Sequence, residues 1–417
     1  MHYFLYRDNE LWCEDVPVKA IAQEVGTPFY LYSARTFKRH FNAYREAFGK
    51  RSHLIAYAVK SNSNLAVLNL LGKLGAGADI VSGGELFRAL KAGIPAGRIV
   101  YSGVGKTMDE INAALDAGIL LFNVESTAEL EAISSVARQK GKKARISFRV
   151  NPDVDPKTHP YISTGLSKNK FGLSIEQAMD AYERAATDSS LEVKGIDCHI
   201  GSQLTDIAPF RDAFERVKRL VDQLENRGIR LEYIDIGGGL GIQYNDENPP
   251  LPSDYARPIL EAMEGLDHTL IVEPGRSISG NAGILVTRVL YTKKTPSREF
   301  YVVDAAMNDL ARPSLYQAYH EINPVVKRDA GTATVDIVGP ICETGDFLAR
   351  DRVIQVLEQG EFLAVMSAGA YGFTMSSNYN SRPRAAEVMV NGDTFHVVRE
   401  RETYDDLIRG ECMMGTG

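Results

Sequence analysis

Lys60 ends an otherwise apolar run, LIAYAVK. A lysine at a strand end ordinarily extends its stem to put the ammonium in water. Behind an uninterrupted apolar stretch, partial desolvation lowers its pKa, which suits a Schiff-base amine. Glu273 closes TLIVE and precedes Pro274, Gly275 and Arg276. Glu273 and Arg276 read either as an ion pair bracing a rim or as a carboxylate that keeps a heteroaromatic nitrogen protonated, with an arginine beside it. His199, in HIGSQ, is either a satisfied core histidine or a ring stacked on a flat ligand. The run Gly237, Gly238, Gly239 suits a loop whose backbone N–H groups approach a phosphate. Two resemblances to nucleotide motifs fail. GGGLG does not keep the GxGxxG spacing, and GVGKT at 103–107 lacks the first glycine of a P-loop, since that position is Val100.

The elements that must position these residues follow from the hydrophobic pattern. Short apolar runs rich in β-branched residues alternate with segments of helical periodicity: 54–59, 78–81, 98–102, 119–124, 145–150, 194–200, 233–236 and 269–273. Eight such units over about 220 residues predict a (β/α)8 TIM-like barrel rather than a doubly wound sheet. Lys60, His199, the glycine run and Glu273 then all stand at strand C-terminal ends, where barrel active sites lie, and GGGLG and EPGR occupy the loops after strands seven and eight, where barrels hold phosphate. Beyond about residue 280 the rhythm changes to ILVTRVLY, REFYVVDA, TVDIVG, RVIQVL, EFLAVM, AAEVMV and TFHVVRE with little helix between. That pattern predicts a mostly antiparallel β domain. The expected division is an N-terminal segment over 1–30 packing on the β domain, a barrel over 31–278 and a β domain over 279–417.

Composition narrows the function. The 417 residues carry 54 acidic and 47 basic side chains, a formal charge of -7, with no basic block, so a nucleic-acid partner is not expected. No run approaches the roughly 18 apolar residues of a membrane span, and the N-terminus has no secretory pattern. Cys13, Cys198, Cys342 and Cys412 form no CxxC pair and the histidines no HxxxH pair, so neither a disulfide framework nor a metal site is expected. These features together predict a cytoplasmic protein.

A lysine, a histidine, a phosphate loop and an acidic partner on barrel strand ends are the parts of a pyridoxal phosphate (PLP) site. The motifs YAVKSN, GADIVSGGEL, RVNPDVDPKTHPYISTG with NKFG, HIGSQ, DIGGGLG, EPGRSI, RPSLYQAYH, CETGD and NYNSRPRAAEV occur in order. With them the chain resembles the fold type III PLP-dependent decarboxylases, and within them the branch acting on meso-2,6-diaminopimelate to give L-lysine and CO2. The resemblance runs from about residue 28 to 400, and the final ECMMGTG carries no motif. It implies that Lys60 holds PLP as a Schiff base and that His199 packs on its ring. Asp79 and Ser202 lie close by. Gly239 and the backbone around Gly275 and Arg276 take the phosphate, with Tyr371 closing that site, and Glu273 pairs with the pyridine nitrogen. It further implies a homodimer with shared active sites, in which the neighbouring subunit's CETGD loop supplies Cys342 and Glu343.

On this resemblance Cys342 is the proton donor, a thiol being a competent acid near neutral pH. Free cysteines are more often inert and buried, and the adjacent Glu343 favours the functional reading. The small-molecule substrate has a zwitterionic distal end. Arg276 and Arg312 offer planar forks for its carboxylate, Tyr316 and Tyr371 further contacts, and Glu343 accepts its ammonium. Without the motif, Arg312 and Tyr316 would read as a surface ion pair and a core aromatic. The polar segment 159–172 is a candidate lid. The alternatives are a decarboxylase of a related substrate such as carboxynorspermidine, an amino-acid racemase on the same barrel, and a non-catalytic PLP-binding regulatory protein. The paired CETGD and RPSLYQAYH motifs speak against a racemase, and the presence of both Lys60 and Cys342 speaks against the regulator.

Overall fold

The structure, a computed structural model, describes residues 2–154 and 170–414. The candidate lid therefore lies outside the described residues up to position 169. The chain divides into two compact units, Met1–Phe37 with Ser279–Gly417, and Lys38–Ile278.

In the first unit, strands β1 (Phe4–Arg7), β2 (Glu10–Cys13) and β3 (Val16–Pro17) form a small antiparallel sheet. Strand β4 (Phe29–Ser33) is buried along its whole length.

The second unit is a closed barrel of eight strands: β5 (His53–Ala58), β6 (Gly77–Ile80), β7 (Ile99–Tyr101), β8 (Leu121–Val124), β9 (Ala144–Arg149), β10 (Leu191–Asp197), β11 (Tyr233–Asp235) and β12 (Thr269–Val272). Every neighbouring pair is parallel, and β12 closes on β5. Parallel strands covered on both faces read as continuous apolar runs, which is why the pattern was legible. Polar residues start the intervening helices. Ser82, Ser126 and Ser174 each accept a backbone N–H, and Thr107 forms a full capping box with Glu110. Gly118 and Gly141 end two helices in the left-handed conformation. One cluster in the barrel unit is apolar, made by Leu54, Ala56, Val100, Leu120, Leu121 and Ile271. The strand C-terminal ends carry charge instead.

The rest of the first unit is built from β13 (Gly283–Lys294), β14 (Glu299–Val303), β15 (Ile322–Pro324), β16 (Thr332–Val338), β17 (Phe347–Gln355), β18 (Phe362–Val365), β19 (Ala386–Asn391) and β20 (Thr394–Arg399). The main order is β17-β16-β14-β13-β4-β19-β20, with β18 on β13 and β15 on β18. Pairing is mostly antiparallel, as the sequence predicts, but β14 runs parallel to β16 and β4 parallel to β19. Its core includes Phe4, Leu11, Phe29, Leu31, Ile284, Val286, Val388 and Val390. Inside it, Glu387 accepts from Tyr32 Oη at 2.8 Å and pairs with Arg399, so its buried charge is satisfied.

Candidate active site

Lys60 stands in a single 3-10 turn, Val59–Ser61, immediately after β5. Ser61 Oγ ties that turn down by donating to the Ala58 carbonyl at 2.8 Å. Lys60 Nζ donates to Asp79 Oδ2 on β6 at 2.5 Å; the lysine side chain is 33% exposed and that of Asp79 0%. The amine is thus reachable while its counter-ion is not. Glu85 stands near this pair, its carboxyl pushed up to about 7 by burial.

Around the same rim the ends of β9 to β12 bring Arg149, Asp197, Asp235 and Glu273 together. Arg149 Nη1 donates to Glu125 at 2.8 Å, and its Nε lies 3.9 Å from Asp197 Oδ2. Asp197, Asp235 and Glu273 place carboxylate oxygens within 4.8 Å of one another, a spacing that accepts either a cation or shared protons. Asp79 Oδ1, Asp197 Oδ1 and Asp235 Oδ2 are buried with no hydrogen-bond partner. Burial, then mutual repulsion, drives Asp197 and Glu273 well above the ordinary carboxylate range. Burial pushes Asp235 up to about 7 despite the Gly237 N–H on its Oδ1. Among the described residues, Glu273 has no Lys, Arg or His nitrogen within 4.0 Å, and its contact is Ser102 Oγ at 3.4 Å. A basic ring nitrogen placed against Glu273 would supply the missing counter-ion.

His199 accepts the Gly238 N–H at Nδ1, 3.1 Å away, so its hydrogen sits on Nε2. Burial, with Arg149 and Lys60 nearby, holds it well below its usual pKa, so the ring is a neutral plate. The glycine run is required by crowding as much as by any ligand. A Cβ on Gly238 would meet the Glu273 carbonyl at 2.2 Å, one on Gly239 would meet the Gly201 carbonyl at 2.5 Å, and Gly237 and Gly239 have φ of +64° and +117°. Gly275 is confined by Ala58 and Ser61, each Cβ 3.0 Å from where its own would stand. Arg276 is buried, giving Nε and Nη2 to Ser202 Oγ at 3.3 and 3.1 Å and Nη1 to Tyr244 Oη at 2.8 Å.

The remaining predicted residues lie in the β unit. Arg312 begins a one-turn helix, Arg312–Tyr316, and its buried guanidinium donates Nε to His320 Nε2 at 3.3 Å while standing 6.0 Å from the Tyr316 ring centre. Ser314 Oγ on the same helix donates to the Gly345 carbonyl at 2.6 Å. That bond ties Arg312 and Tyr316 to the loop bearing Cys342 and Glu343, both exposed. Asp346 braces the loop by accepting Ile341 N–H and Met307 N–H, each at 2.7 Å. Tyr371 lies on a separate turn with φ +54°, a conformation strained for a non-glycine residue and found where surroundings fix a side chain for use.

Thus Lys60, Asp79, His199, Ser202, Gly239, Glu273, Gly275 and Arg276 gather at the barrel's strand ends, and Arg312, Tyr316, Cys342 and Glu343 gather around one loop of the β unit. Sequence reasoning missed Glu85, Glu125, Arg149, Asp197, Asp235, Tyr244, His320 and Tyr379. Arg149, Asp197 and Asp235 each sit one or a few residues before the end of an apolar run, in RISFRV, KGIDCHI and YIDI, a weaker form of the signal that marked Lys60.

Three comparisons bear on this arrangement. The family model described as "Pyridoxal-dependent decarboxylase, pyridoxal binding domain" matches residues 34–280. The chain is 56% identical to a diaminopimelate decarboxylase of Pseudomonas aeruginosa over 99% of this chain and 100% of that one, and 55% identical to one of Aquifex aeolicus over 97% and 96%. A crystal structure of diaminopimelate decarboxylase from Helicobacter pylori complexed with L-lysine superposes with a TM-score of 0.91 at 47% identity, covering 94% of this chain and 98% of that one.

Proposed function

The chain belongs to the pyridoxal-dependent decarboxylase family, and from that premise we infer that it removes one carboxyl group of meso-2,6-diaminopimelate to yield L-lysine and CO2. The observation that carries the reading is the reachable Lys60 amine against a wholly buried Asp79, on the same rim as a buried Glu273 that among the described residues has no Lys, Arg or His nitrogen within 4.0 Å. The relatives' shared name and the lysine held by one of them support the substrate.

The residues present fit PLP. A glycine cradle that any Cβ would obstruct suits the phosphate, the neutral His199 plate suits the ring, and Glu273 suits its nitrogen. Lys60, Asp79, His199, Ser202, Gly239, Glu273, Gly275, Arg276 and Tyr371 would hold it. Bound there, PLP supplies an electron sink for the carbanion left when CO2 departs. The chain's own residues do the rest. Glu273 takes on charge once a basic nitrogen faces it. Arg276 and Arg312, with Tyr316 and Tyr371, hold the distal carboxylate, and Glu343 holds the distal ammonium. Cys342 Sγ delivers the proton that completes the product.

The same reading makes the enzyme a homodimer whose sites are completed by Cys342 of the partner subunit and Glu343 of the partner subunit, and a cytoplasmic one. No described helix is long and apolar enough to cross a membrane. The test is to incubate the purified, PLP-supplemented protein with meso-diaminopimelate and assay CO2 and lysine. Stoichiometric release of both is expected. A cofactor band without release would discard the substrate and leave carboxynorspermidine as the next candidate.

A further inference from the structure

Cys342 and Glu343 sit on a surface loop where burial holds neither side chain. Something else must orient them, and the turn at 378–381 does. Tyr379 Oη donates to Glu343 Oε2 at 2.8 Å, and the Cys342 N–H donates to Asn380 Oδ1 at 2.9 Å. The turn is itself pinned. Asn378 Nδ2 donates to the Arg382 carbonyl at 3.0 Å and to Glu402 at 2.7 Å, and Asn380 and Ser381 are both held at positive φ, +54° and +53°. Two consecutive non-glycine residues stay left-handed only where surrounding contacts over-determine them.

The donor's chemistry matters. Among the described residues Glu343 has no Lys or Arg nitrogen within 4.0 Å. A phenol orients a carboxylate without neutralising it, whereas a guanidinium would compete with any cation the carboxylate is to bind. Tyr379 engages Oε2, and Oε1 faces Gly345, where a Cβ would come within 3.0 Å. One oxygen is therefore fixed by the phenol, while among the described residues the other accepts no hydrogen bond.

We propose that Tyr379 is a positioning residue for the amino-acid substrate: its hydroxyl fixes Glu343 so that the free carboxylate oxygen receives the substrate's distal ammonium, while Asn380 fixes the backbone of Cys342 beside it. This rests on the role given above to Glu343. Tyr379 thereby contributes to telling an amino acid with a distal ammonium from one without. The Glu343 hydrogen bond and charge also raise the Tyr379 pKa, which gives the contact a signature independent of turnover.

The test uses the full-length, PLP-loaded enzyme and the variants Tyr379→Phe, Glu343→Gln and their combination. Losing a hydrogen bond to a charged group should raise KM for meso-diaminopimelate about 10-fold in Tyr379→Phe, with kcat changed by less than about twofold. The kcat/KM for 2-aminopimelate, which lacks the distal ammonium, should not move. Adding Tyr379→Phe to Glu343→Gln should cost nothing further. An equal loss on both substrates, an unchanged KM or additive losses would overturn the proposal. A second readout needs no substrate. The phenolate absorbance that Tyr379→Phe removes should titrate above the ordinary tyrosine range in the wild type and fall back towards it in Glu343→Gln; no difference between the two overturns the contact. If the wild type fails to act on meso-diaminopimelate, the functional reading falls, and this titration still decides whether Tyr379 holds Glu343.

Discussion

Lys60 and Cys342 differ in what their removal exposes. Lys60 is the accessible half of a pair whose other half is sealed, so Lys60→Ala takes away the amine proposed to hold the cofactor. The expected result is no visible cofactor band and no CO2 release, and retention of both would refute the assignment. Cys342 is exposed, so its loss opens no buried cavity. Cys342→Ala should therefore keep the band while kcat falls about 100-fold or more, the usual worth of a proton donor; an unchanged kcat would move the proton to another group. Asp235 offers a prediction about stability. Its folded pKa of about 7 lies above the ordinary carboxylate value, so between roughly pH 4 and that value the folded protein binds the extra proton and the unfolded chain does not. The stability this contributes is complete at low pH and lost as pH rises through the folded value. Asp235→Asn cannot ionise. Without added cofactor, its melting temperature should match wild type near pH 3, exceed it increasingly above pH 4 and hold that lead at pH 8, and a pH-independent offset would show that Asp235 is charged throughout.

At the scale of elements, the loop after β11 has to pass between two others, and Gly238 is where it does so. Its missing Cβ would stand 2.2 Å from the Glu273 carbonyl, a backbone atom that cannot swing aside. Gly238→Ala should cost on the order of 3 kcal/mol by overpacking and displace Glu273. Thermal unfolding and PLP affinity should both suffer, and a variant as stable as wild type would show that the loop has slack. The glycine run was visible in the sequence, and phosphate binding was the reason attached to it. The crowding was not visible, because it depends on a carbonyl from the next strand. The barrel strands were legible because parallel strands in a closed barrel are apolar on both faces. Strand β4 was not, although FYLYS is just as apolar. Its partners are β13 and β19, distant in sequence, and nothing local distinguishes a strand of that sheet from a barrel strand. Asp197 and Asp235 escaped for a related reason: a buried acid reads as a chain end until its neighbours on other strands are known. Tyr379 lay inside a recognised motif, yet only the fold shows which carboxylate it meets.

At the scale of the molecule, the residues of the proposed chemistry are divided between the two units. The Lys60 set belongs to the barrel, and the Cys342–Glu343 loop to the β unit, which holds it in place through Ser314, Asp346 and Asn380. The proposed homodimer with shared sites makes a quantitative demand of that division. If each site takes Lys60 from one subunit and Cys342 from its partner, Lys60→Ala and Cys342→Ala are each inactive for a different reason. A mixed dimer has one site lacking both groups and one site intact. With random pairing of equal amounts, half the dimers are mixed, so activity should return to about a quarter of wild type in a symmetric two-fold assembly. The measurement is to unfold and refold the two variants together, restore PLP, and assay CO2 release from meso-diaminopimelate against each variant refolded alone. If each subunit instead used its own Lys60 and its own Cys342, no arrangement of the two mutant chains would contain an intact site. Activity would then stay at the sum of the separate variants, and the shared site would have to be abandoned while the fold and the cofactor assignment stood.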